Sequence, residues 1–303
     1  MASLWEQTWE QPAFPALEGE LSTDVLIIGG GMARVLCTYF LHRAGVPYAL
    51  AEAKTLCSGI TRNTTAKITS QHGLIYDKLI RKFGVDRARQ YLSAQEAALQ
   101  KYRELCQTVD CGFEEKDAYV YSMDDRQKIE RELNALEKLG FPGEFAGQLP
   151  LPFPVAGAVK FPRQAQFHPL KFVSAIAEGL HIYEHTAVRE LAGTTASTDH
   201  GKIRAKTIIV TTHFPFLNKY GSYFLKLYQH RSYVLALESA PDVGGMYVDE
   251  SRTGLSFRNY GNLLLVGGGG HRTGKQGGGW RELRACAGRH HPPAAEKFHW
   301  ATQ

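Results

Sequence analysis

Three things are scarce in this sequence: cysteine, long apolar runs and blocks of like charge. Its 303 residues include five cysteines, which have neither the even count of a disulfide framework nor the paired CxxC spacing of a zinc module. That usage predicts a reducing, cytoplasmic location. No apolar run reaches the roughly 20 residues of a membrane-spanning helix. Residues 1–20 also lack the basic and apolar regions of a secretion signal.

Charge is nearly balanced, with 35 basic and 30 acidic residues and a net charge of +5. Because no long basic block is present, the sequence does not predict nucleic acid as a partner. The 44% hydrophobic and 21% charged residues are typical of an ordinary globular protein. At this length the chain can form two domains, or one interleaved pair of domains.

A glycine turn between two apolar segments is the most informative feature present. Residues 25–28 predict a buried parallel strand, and the glycines at 29–31 follow it directly. Apolar residues then recur at helical spacing from Met32, and a second apolar run ends at Glu52. Strand, glycine turn, helix, strand and acid form the opening unit of a dinucleotide-binding fold. The glycines let the backbone approach a diphosphate, and the carboxylate accepts hydrogen bonds from ribose hydroxyls.

One position departs from this pattern, and one other loop competes with it. Arg34 stands where the third glycine of G-x-G-x-x-G lets helix and strand pack closely, which predicts poor packing and weakened cofactor affinity. Residues 269–276 have the glycine and lysine spacing of an ATP-binding P-loop. Gln276, however, stands where a P-loop needs Ser or Thr to hold magnesium. The alternative for this segment is a mobile glycine-rich loop.

The apolar spacing also predicts the main helices of the chain. Residues 76–106 predict two helices broken near Gly84, and residues 125–139 predict a third that Gly140 ends. A further helix begins at residues 168–169, because proline is well placed at a first helical position.

The strand pattern predicts an α/β protein with two sheets. After a small β-insert, residues 207–212 predict a parallel strand that returns to the first sheet. Residues 218–270 predict a mainly antiparallel sheet with a hairpin tip at 258–262. We therefore predict a Rossmann-like cofactor domain interleaved with an α+β substrate domain built on the antiparallel sheet. The predicted bounds are 1–75 and 167–217 for the first domain, and 76–166 and 218–303 for the second.

Together these segments resemble the D-amino-acid-oxidase-like FAD-dependent oxidoreductases, which include glycine and sarcosine oxidases and D-amino-acid dehydrogenases. The resemblance is carried by residues 24–31, Glu52, 58–67, Val188 and 208–212. Residues 63–73 and 161–169 are most similar to bacterial members that carry a C-terminal Rieske iron–sulfur domain.

The resemblance implies FAD as the cofactor and hydride transfer from the C–N carbon of an amine or amino acid to flavin N5. The residues it implies for FAD binding are Gly29, Gly30, Gly31, Met32, Glu52, Ala53, Ser58, Gly59, Thr64, Thr65, Lys67, Val188 and Thr211. A substrate carboxylate needs a cation and a phenol, and the catalytic candidates on the predicted sheet are Arg258, Tyr233 and Tyr260. No metal site is predicted, since the histidine pairs lack a third ligand.

The chain also differs from these relatives at its C-terminal end. It stops at Gln303, where relatives continue with a last strand and a glycine-containing segment over the flavin. It contains no Rieske cysteine and histidine pairs, although a Rieske centre is the electron acceptor expected in full-length relatives. The expectation is a truncated member of the family. Alternatives are a catalytically silent remnant that binds at most a nucleotide or a partner, and an ATP-dependent enzyme that uses residues 269–275.

Overall fold

The computed structural model describes residues 2–214, 216–217, 221–251, 254–275, 277–291 and 294–302, except for the side chain of His290. The helices are α1 (Leu4–Thr8), α2 (Met32–Arg43), α3 (Tyr76–Phe83), α4 (Val85–Cys106), α5 (Arg126–Leu139), α6 (Pro169–Ala177), α7 (Tyr223–Lys226) and α8 (Trp280–His290), with a 3₁₀ turn at Thr61–Asn63. The strands are β1 (Gly19–Ile28), β2 (Tyr48–Ala51), β3 (Lys67–Ile68), β4 (Glu114–Ser122), β5 (Glu144–Ala146), β6 (Gly157–Gln166), β7 (Ile182–Tyr183), β8 (Val188–Ala192), β9 (Thr195–Thr198), β10 (Gly201–Val210), β11 (His230–Glu238), β12 (Met246–Asp249), β13 (Ser256–Tyr260), β14 (Leu263–Arg272) and β15 (Ala295–Thr302). Within the described part of the chain, no helix is long and apolar enough to cross a membrane.

The chain forms two compact units. The parallel-sheet unit consists of Trp5–Thr64 and Pro169–Gln229. The large-sheet unit consists of Met1–Leu4, Thr65–His168 and His230–Gln303. The division into functional domains made from the sequence stays a prediction beside these structural units.

The parallel-sheet unit is built on six strands in the order β7-β2-β1-β10-β9-β8. Strand β1 pairs in parallel with β2 on one side and β10 on the other, while β9 and β8 add an antiparallel edge. Leu26 and Ile27 at the centre of this sheet are fully buried, as a parallel strand covered on both faces requires. The predicted strand–turn–helix–strand unit, returning strand and small β-insert are thus confirmed.

The large-sheet unit is organised around nine strands in the order β15-β11-β14-β13-β12-β4-β6-β3, with β5 beside β6. The sheet is mainly antiparallel, as predicted, although β12 and β4 pair in parallel. Two apolar clusters form its core. One contains Tyr76, Ile129 and Phe161, and the other contains Phe257 and Leu283.

Local helix signals are confirmed in this unit. Gly84 separates α3 from α4 with φ +83°, a conformation that costs glycine little and other residues more. The Asp125 side chain accepts a hydrogen bond from the Lys128 N–H (3.0 Å), which caps the start of α5. Gly140 ends α5 in the left-handed conformation.

One turn prediction is confirmed in a shorter form, and one is wrong. The hairpin predicted at 258–262 joins β13 to β14, but β13 runs on through Tyr260, so its turn is confined to Gly261 and Asn262. The glycines at 269 and 270 lie in β14 rather than in a loop that cradles phosphate. Gln276, the position that disagreed with a P-loop, lies outside the described residues.

Candidate functional site

The glycine turn begins where two parallel strands end. The Gly29 N–H donates to the Ala51 carbonyl (2.9 Å), and Gly29 has φ +109°, which favours glycine at this position. On the neighbouring strand, the Thr211 N–H donates to the Ile28 carbonyl (3.2 Å). The turn and Thr211 therefore lie at the carboxyl ends of adjacent parallel strands, where open α/β sheets bind their ligands.

Glu52 is packed directly against the middle glycine of the turn. Its Oε2 accepts a hydrogen bond from the Gly30 N–H (2.5 Å), and its Oε1 accepts one from the Lys54 N–H (2.9 Å). A Cβ on Gly30 would lie 2.8 Å from Glu52 Cγ, so a side chain there would displace the carboxylate. Because a carboxylate has about four acceptor positions, Glu52 still has capacity for ribose hydroxyls.

Thr61, which the sequence did not single out, holds the first turn of α2. Its Oγ1 accepts a hydrogen bond from the Met32 N–H (3.1 Å) at the start of the helix. The only sequence signal for this contact was the hydroxyl-rich composition of residues 57–67. The contact fixes the position of the helix N-terminus, whose partial positive charge favours anions.

The Arg34 side chain turns back over the glycine turn. Its Nη1 lies 3.1 Å from the position of a Cβ on Gly31, and its Nε lies 3.7 Å from the corresponding position on Gly29. Nε is buried and has no hydrogen-bond partner among the described residues. Burial lowers the pKa of Arg34, and the nearby Glu52 and Cys57 act in the opposite direction.

The glycine turn and the half-buried Arg34 guanidinium together fit a diphosphate. The glycines at 29–31 present backbone without side chains, and Arg34 adds a positive charge whose Nε has no hydrogen-bond partner among the described residues. The sequence alone indicated that Arg34 spoils this site. The side-chain direction instead makes Arg34 a candidate ligand for the anionic group.

The remaining cofactor candidates of this unit lie in loops and at a strand edge. The Ser58 N–H donates to the Thr55 carbonyl (3.1 Å), and the Gly59 carbonyl accepts from Asn63 Nδ2 (3.0 Å). Ala53 is exposed beside Glu52, Val188 begins β8, and the Thr64 carbonyl accepts a hydrogen bond from Trp5 Nε1 (2.7 Å). Their contacts with a cofactor stay predictions.

A second group of candidates lies in the large-sheet unit around Arg258. This side chain is fully buried on β13 and donates from Nη1 to the Ala66 carbonyl (2.9 Å). Its guanidinium carbon lies 5.7 Å from the ring centroid of Tyr260. Burial lowers the pKa of Arg258 to about 9, while Glu114 and Tyr260 act to raise it.

Lys67 adds a second cation to this group. Its Nζ donates to Thr65 Oγ1 (3.2 Å). Although Lys67 keeps partial solvent contact, burial of the ammonium, followed by repulsion from Arg258, lowers its pKa to about 7. Two desolvated cations that repel each other are stabilised by an anion. The pair is therefore a candidate site for a carboxylate or a similar group.

Gln166 and Glu114, which the sequence did not single out, lie next to this cation pair. Gln166 Nε2 donates to Glu114 Oε2 (3.1 Å) and to the Asn259 carbonyl (2.9 Å).

Tyr260 keeps its proton at neutral pH. Burial raises the pKa of Tyr260, and the Arg258 charge opposes that shift. At neutral pH Tyr260 is therefore a phenol that can donate a hydrogen bond.

Tyr233 lies in a different cluster from Arg258 and Tyr260. Its ring stacks on His271 with a centroid separation of 5.8 Å and meets the edge of Trp280 at 4.7 Å. A catalytic role for Tyr233 stays a prediction. The described part of the chain contains no group of three or more His, Cys, Asp or Glu residues that could hold a metal ion.

Replacing Lys67 by methionine is expected to stabilise the ligand-free protein at pH 7 by about 1–3 kcal/mol. The folded-state pKa of about 7 is below the ordinary lysine value, so between pH 7 and about 10 the unfolded state binds more protons. Stability of the parent protein therefore rises with pH across that window, and the advantage of the variant shrinks. Thermal melts from pH 6 to 10 measure both effects. The control is Lys78→Met, at an exposed lysine, whose melting temperature should differ from that of the parent by the same amount at every pH. If the Lys67→Met and parent curves also ran parallel from pH 6 to 10, the prediction would be contradicted.

Comparison with known proteins gives a family match and several structural neighbours. The family described as FAD dependent oxidoreductase (DAO) matches residues 24–301. Over 289 residues the chain is 35% identical to YhfW of Bacillus subtilis (strain 168), provisionally named a Rieske 2Fe-2S iron–sulfur protein, with coverage of 89% of this chain and 57% of the relative. The chain therefore spans little more than half the length of that curated relative.

Two solved structures share the fold at low sequence identity. L-proline dehydrogenase from P. horikoshii aligns with a TM-score of 0.74 and 14% identity, covering 94% of this chain and 82% of the other. Glycine oxidase from Geobacillus kaustophilus aligns with a TM-score of 0.69 and 18% identity, covering 93% and 82%. At these identities the likeness establishes the fold and leaves the substrate open.

Proposed function

The chain belongs to the DAO family of FAD-dependent oxidoreductases, and from that premise we propose that it oxidises the C–N bond of an amino acid. FAD is the cofactor of this family, and when bound it accepts the hydride. The substrate carbon would lose a hydride and its nitrogen a proton, which leaves an imine. The protein's part is to bind, orient and desolvate the reactants.

The observation that carries this proposal is the pair of desolvated cations, Lys67 and Arg258. Burial lowers the pKa of each, and the charge of Arg258 further lowers the pKa of Lys67. A substrate carboxylate would neutralise the pair, and the planar guanidinium suits two-point contact with its oxygens. The phenol of Tyr260 supplies a further donor. A simple amine offers no such anion, so we favour amino acids over amines.

The proposed roles of the parallel-sheet unit concern the cofactor. Glu52 would accept hydrogen bonds from the adenosine ribose. The glycine turn and the start of α2 would hold the diphosphate through backbone N–H groups, with Arg34 supplying a cation. The amides and hydroxyls predicted to contact the cofactor keep the roles proposed for them from the sequence.

The electron acceptor and the location are also matters of proposal. The relative YhfW carries a Rieske protein's name, so we propose an iron–sulfur centre of that kind as acceptor. A reducing, cytoplasmic setting stays our proposal, and it rests on the sequence's lack of a disulfide framework. The competing proposal is a silent protein that binds a nucleotide or a partner without turnover.

The visible absorbance spectrum and anaerobic reduction test the proposal together. We expect the purified protein, reconstituted with FAD if needed, to show a flavin band that bleaches when the substrate amino acid is added without oxygen. The panel should contain L- and D-amino acids, glycine, sarcosine and proline, each paired with its decarboxylated amine. A flavin band that no member bleaches would favour the silent alternative. Failure to load the protein with FAD would contradict the proposal that it is an enzyme.

A further inference from the structure

Two cysteines of the large-sheet unit lie side by side. Cys106 is the last residue of α4, and Cys111 lies five residues further along the chain. Their sulfur atoms are 3.5 Å apart and share a hydrogen bond. Cys111 is fully buried, whereas Cys106 is partly exposed. Cys106 is therefore the member of the pair that keeps solvent contact, and the Cys111 sulfur lies next to it.

The backbone at Cys111 is fixed by hydrogen bonds, whereas the segment that follows Cys106 is mostly exposed. The Cys111 carbonyl accepts a hydrogen bond from the His168 N–H (2.7 Å), and the Cys111 N–H donates to the Val109 carbonyl (2.9 Å). Helix α4 ends at Cys106, and most of the short connecting segment is exposed. Movement of Cys106 would bring the sulfurs to the disulfide distance of about 2.05 Å.

The hydrogen bond also distributes charge between the two sulfurs. The Cys111 thiol donates this hydrogen bond to the Cys106 sulfur, and the contact shifts the pKa values of the two coupled thiols in opposite directions. Loss of one proton from the pair is thus favoured, and loss of the second is opposed. This is the behaviour of dithiols that react through one thiolate while the partner thiol stabilises it.

We propose that Cys106 and Cys111 form a redox-active dithiol that hydrogen peroxide converts to an intramolecular disulfide. The accessible Cys106 sulfur attacks one peroxide oxygen, the O–O bond breaks, and the departing hydroxide takes a proton to become water. Cys111 then attacks the resulting sulfenic acid, the S–O bond breaks, and a second water leaves as the S–S bond forms. Two thiols lose two electrons and peroxide is reduced to two waters. A dithiol reductant reverses the change by thiol–disulfide exchange.

The oxidised site would border the Arg258 cluster. The His168 ring, whose backbone is tied to Cys111, lies 5.9 Å from the Tyr260 ring. The charge of Cys111 also acts on the Tyr260 pKa. The inference does not depend on amino-acid oxidation, because the thiol chemistry needs neither cofactor nor substrate.

Peptide mass spectrometry after peroxide treatment tests the dithiol. Trypsin releases residues 104–116 as one peptide that contains both cysteines of the pair and no other cysteine. The protein is given a brief peroxide pulse, quenched and alkylated in denaturant. We then expect this peptide to carry no alkyl group and to be lighter than the unmodified dithiol peptide by two hydrogens. Dithiothreitol should restore both alkylation sites. Cys37 and Cys286, both partly exposed single thiols, are internal controls that should stay alkylated.

Two variants separate the disulfide from simple oxidation. In Cys106→Ser, Cys111 should stay alkylated under the same pulse, because the accessible sulfur is gone. In Cys111→Ser, Cys106 should stop at sulfenic or sulfinic acid. A peptide that stays fully alkylated, or that gains oxygen instead of losing hydrogen in the parent protein, would overturn the proposal.

Discussion

Replacing Arg258 by methionine is expected to lower kcat/KM for the amino-acid substrate by about 10²–10³-fold, mostly through KM. The expectation follows from burial. A charged donor that is already fully desolvated loses little more on binding a carboxylate, so the charge-assisted hydrogen bonds keep most of their strength. Methionine fills a similar volume but leaves the carboxylate facing Lys67 alone. Steady-state kinetics on the best substrate of the amino-acid panel measures the loss.

Three controls make the Arg258 result specific. Arg258→Lys keeps the charge and loses the planar fork, so it should fall between the parent and Arg258→Met. The decarboxylated amine should react equally slowly with all three proteins. FAD content and melting temperature should be unchanged or higher in Arg258→Met, because the variant removes a buried cation that repels Lys67. An equal decrease in kcat/KM for the amino acid and for its amine would show that Arg258 does not bind the carboxylate.

The sequence predicted elements best where local chemistry ends them. Gly84, Asp125 and Gly140 each set a helix boundary through a conformation or a cap that does not depend on distant residues. Strand β6 was missed because Pro162 interrupts its apolar run, and proline normally argues against a strand. The structure accommodates it where the pairing with β4 shifts register and Arg163 adopts φ +50°. That compensation is tertiary and has no local signature.

In the candidate sites, too, features set by local sequence could be predicted and features set by tertiary contacts could not. The glycine turn and Glu52 could be predicted because their spacing along the chain is itself the signal. The need for glycine at position 30 could not, since it arises from the Glu52 side chain packing against it. Likewise Arg258 was available as a cation on the predicted sheet, but its burial near Lys67 depends on strands far apart in sequence. Side-chain direction is the information that the sequence lacks.

Replacing Arg34 by methionine is expected to weaken FAD binding by about 10- to 100-fold, which corresponds to the loss of about 1.5–3 kcal/mol of charge-assisted hydrogen bonding. Sequence pattern alone gives the opposite expectation, because glycine is usual at this position and arginine should crowd the cofactor. The structure favours the first result. The guanidinium lies over the glycine turn, and its buried Nε has no hydrogen-bond partner among the described residues. A diphosphate would supply both charge and acceptors to a cation that is already partly desolvated.

Titration of the apoprotein with FAD, followed by flavin fluorescence at two salt concentrations, distinguishes the two expectations for Arg34. Arg34→Met and Arg34→Gly should both bind FAD more weakly, with a shallower salt dependence than the parent, while Arg34→Lys should retain part of the affinity. Riboflavin and adenosine, which lack the diphosphate, should bind all four proteins alike. Tighter FAD binding by Arg34→Gly would show instead that the arginine occupies space the cofactor needs. Either result concerns binding alone, so it stands whether or not the protein proves to oxidise amino acids.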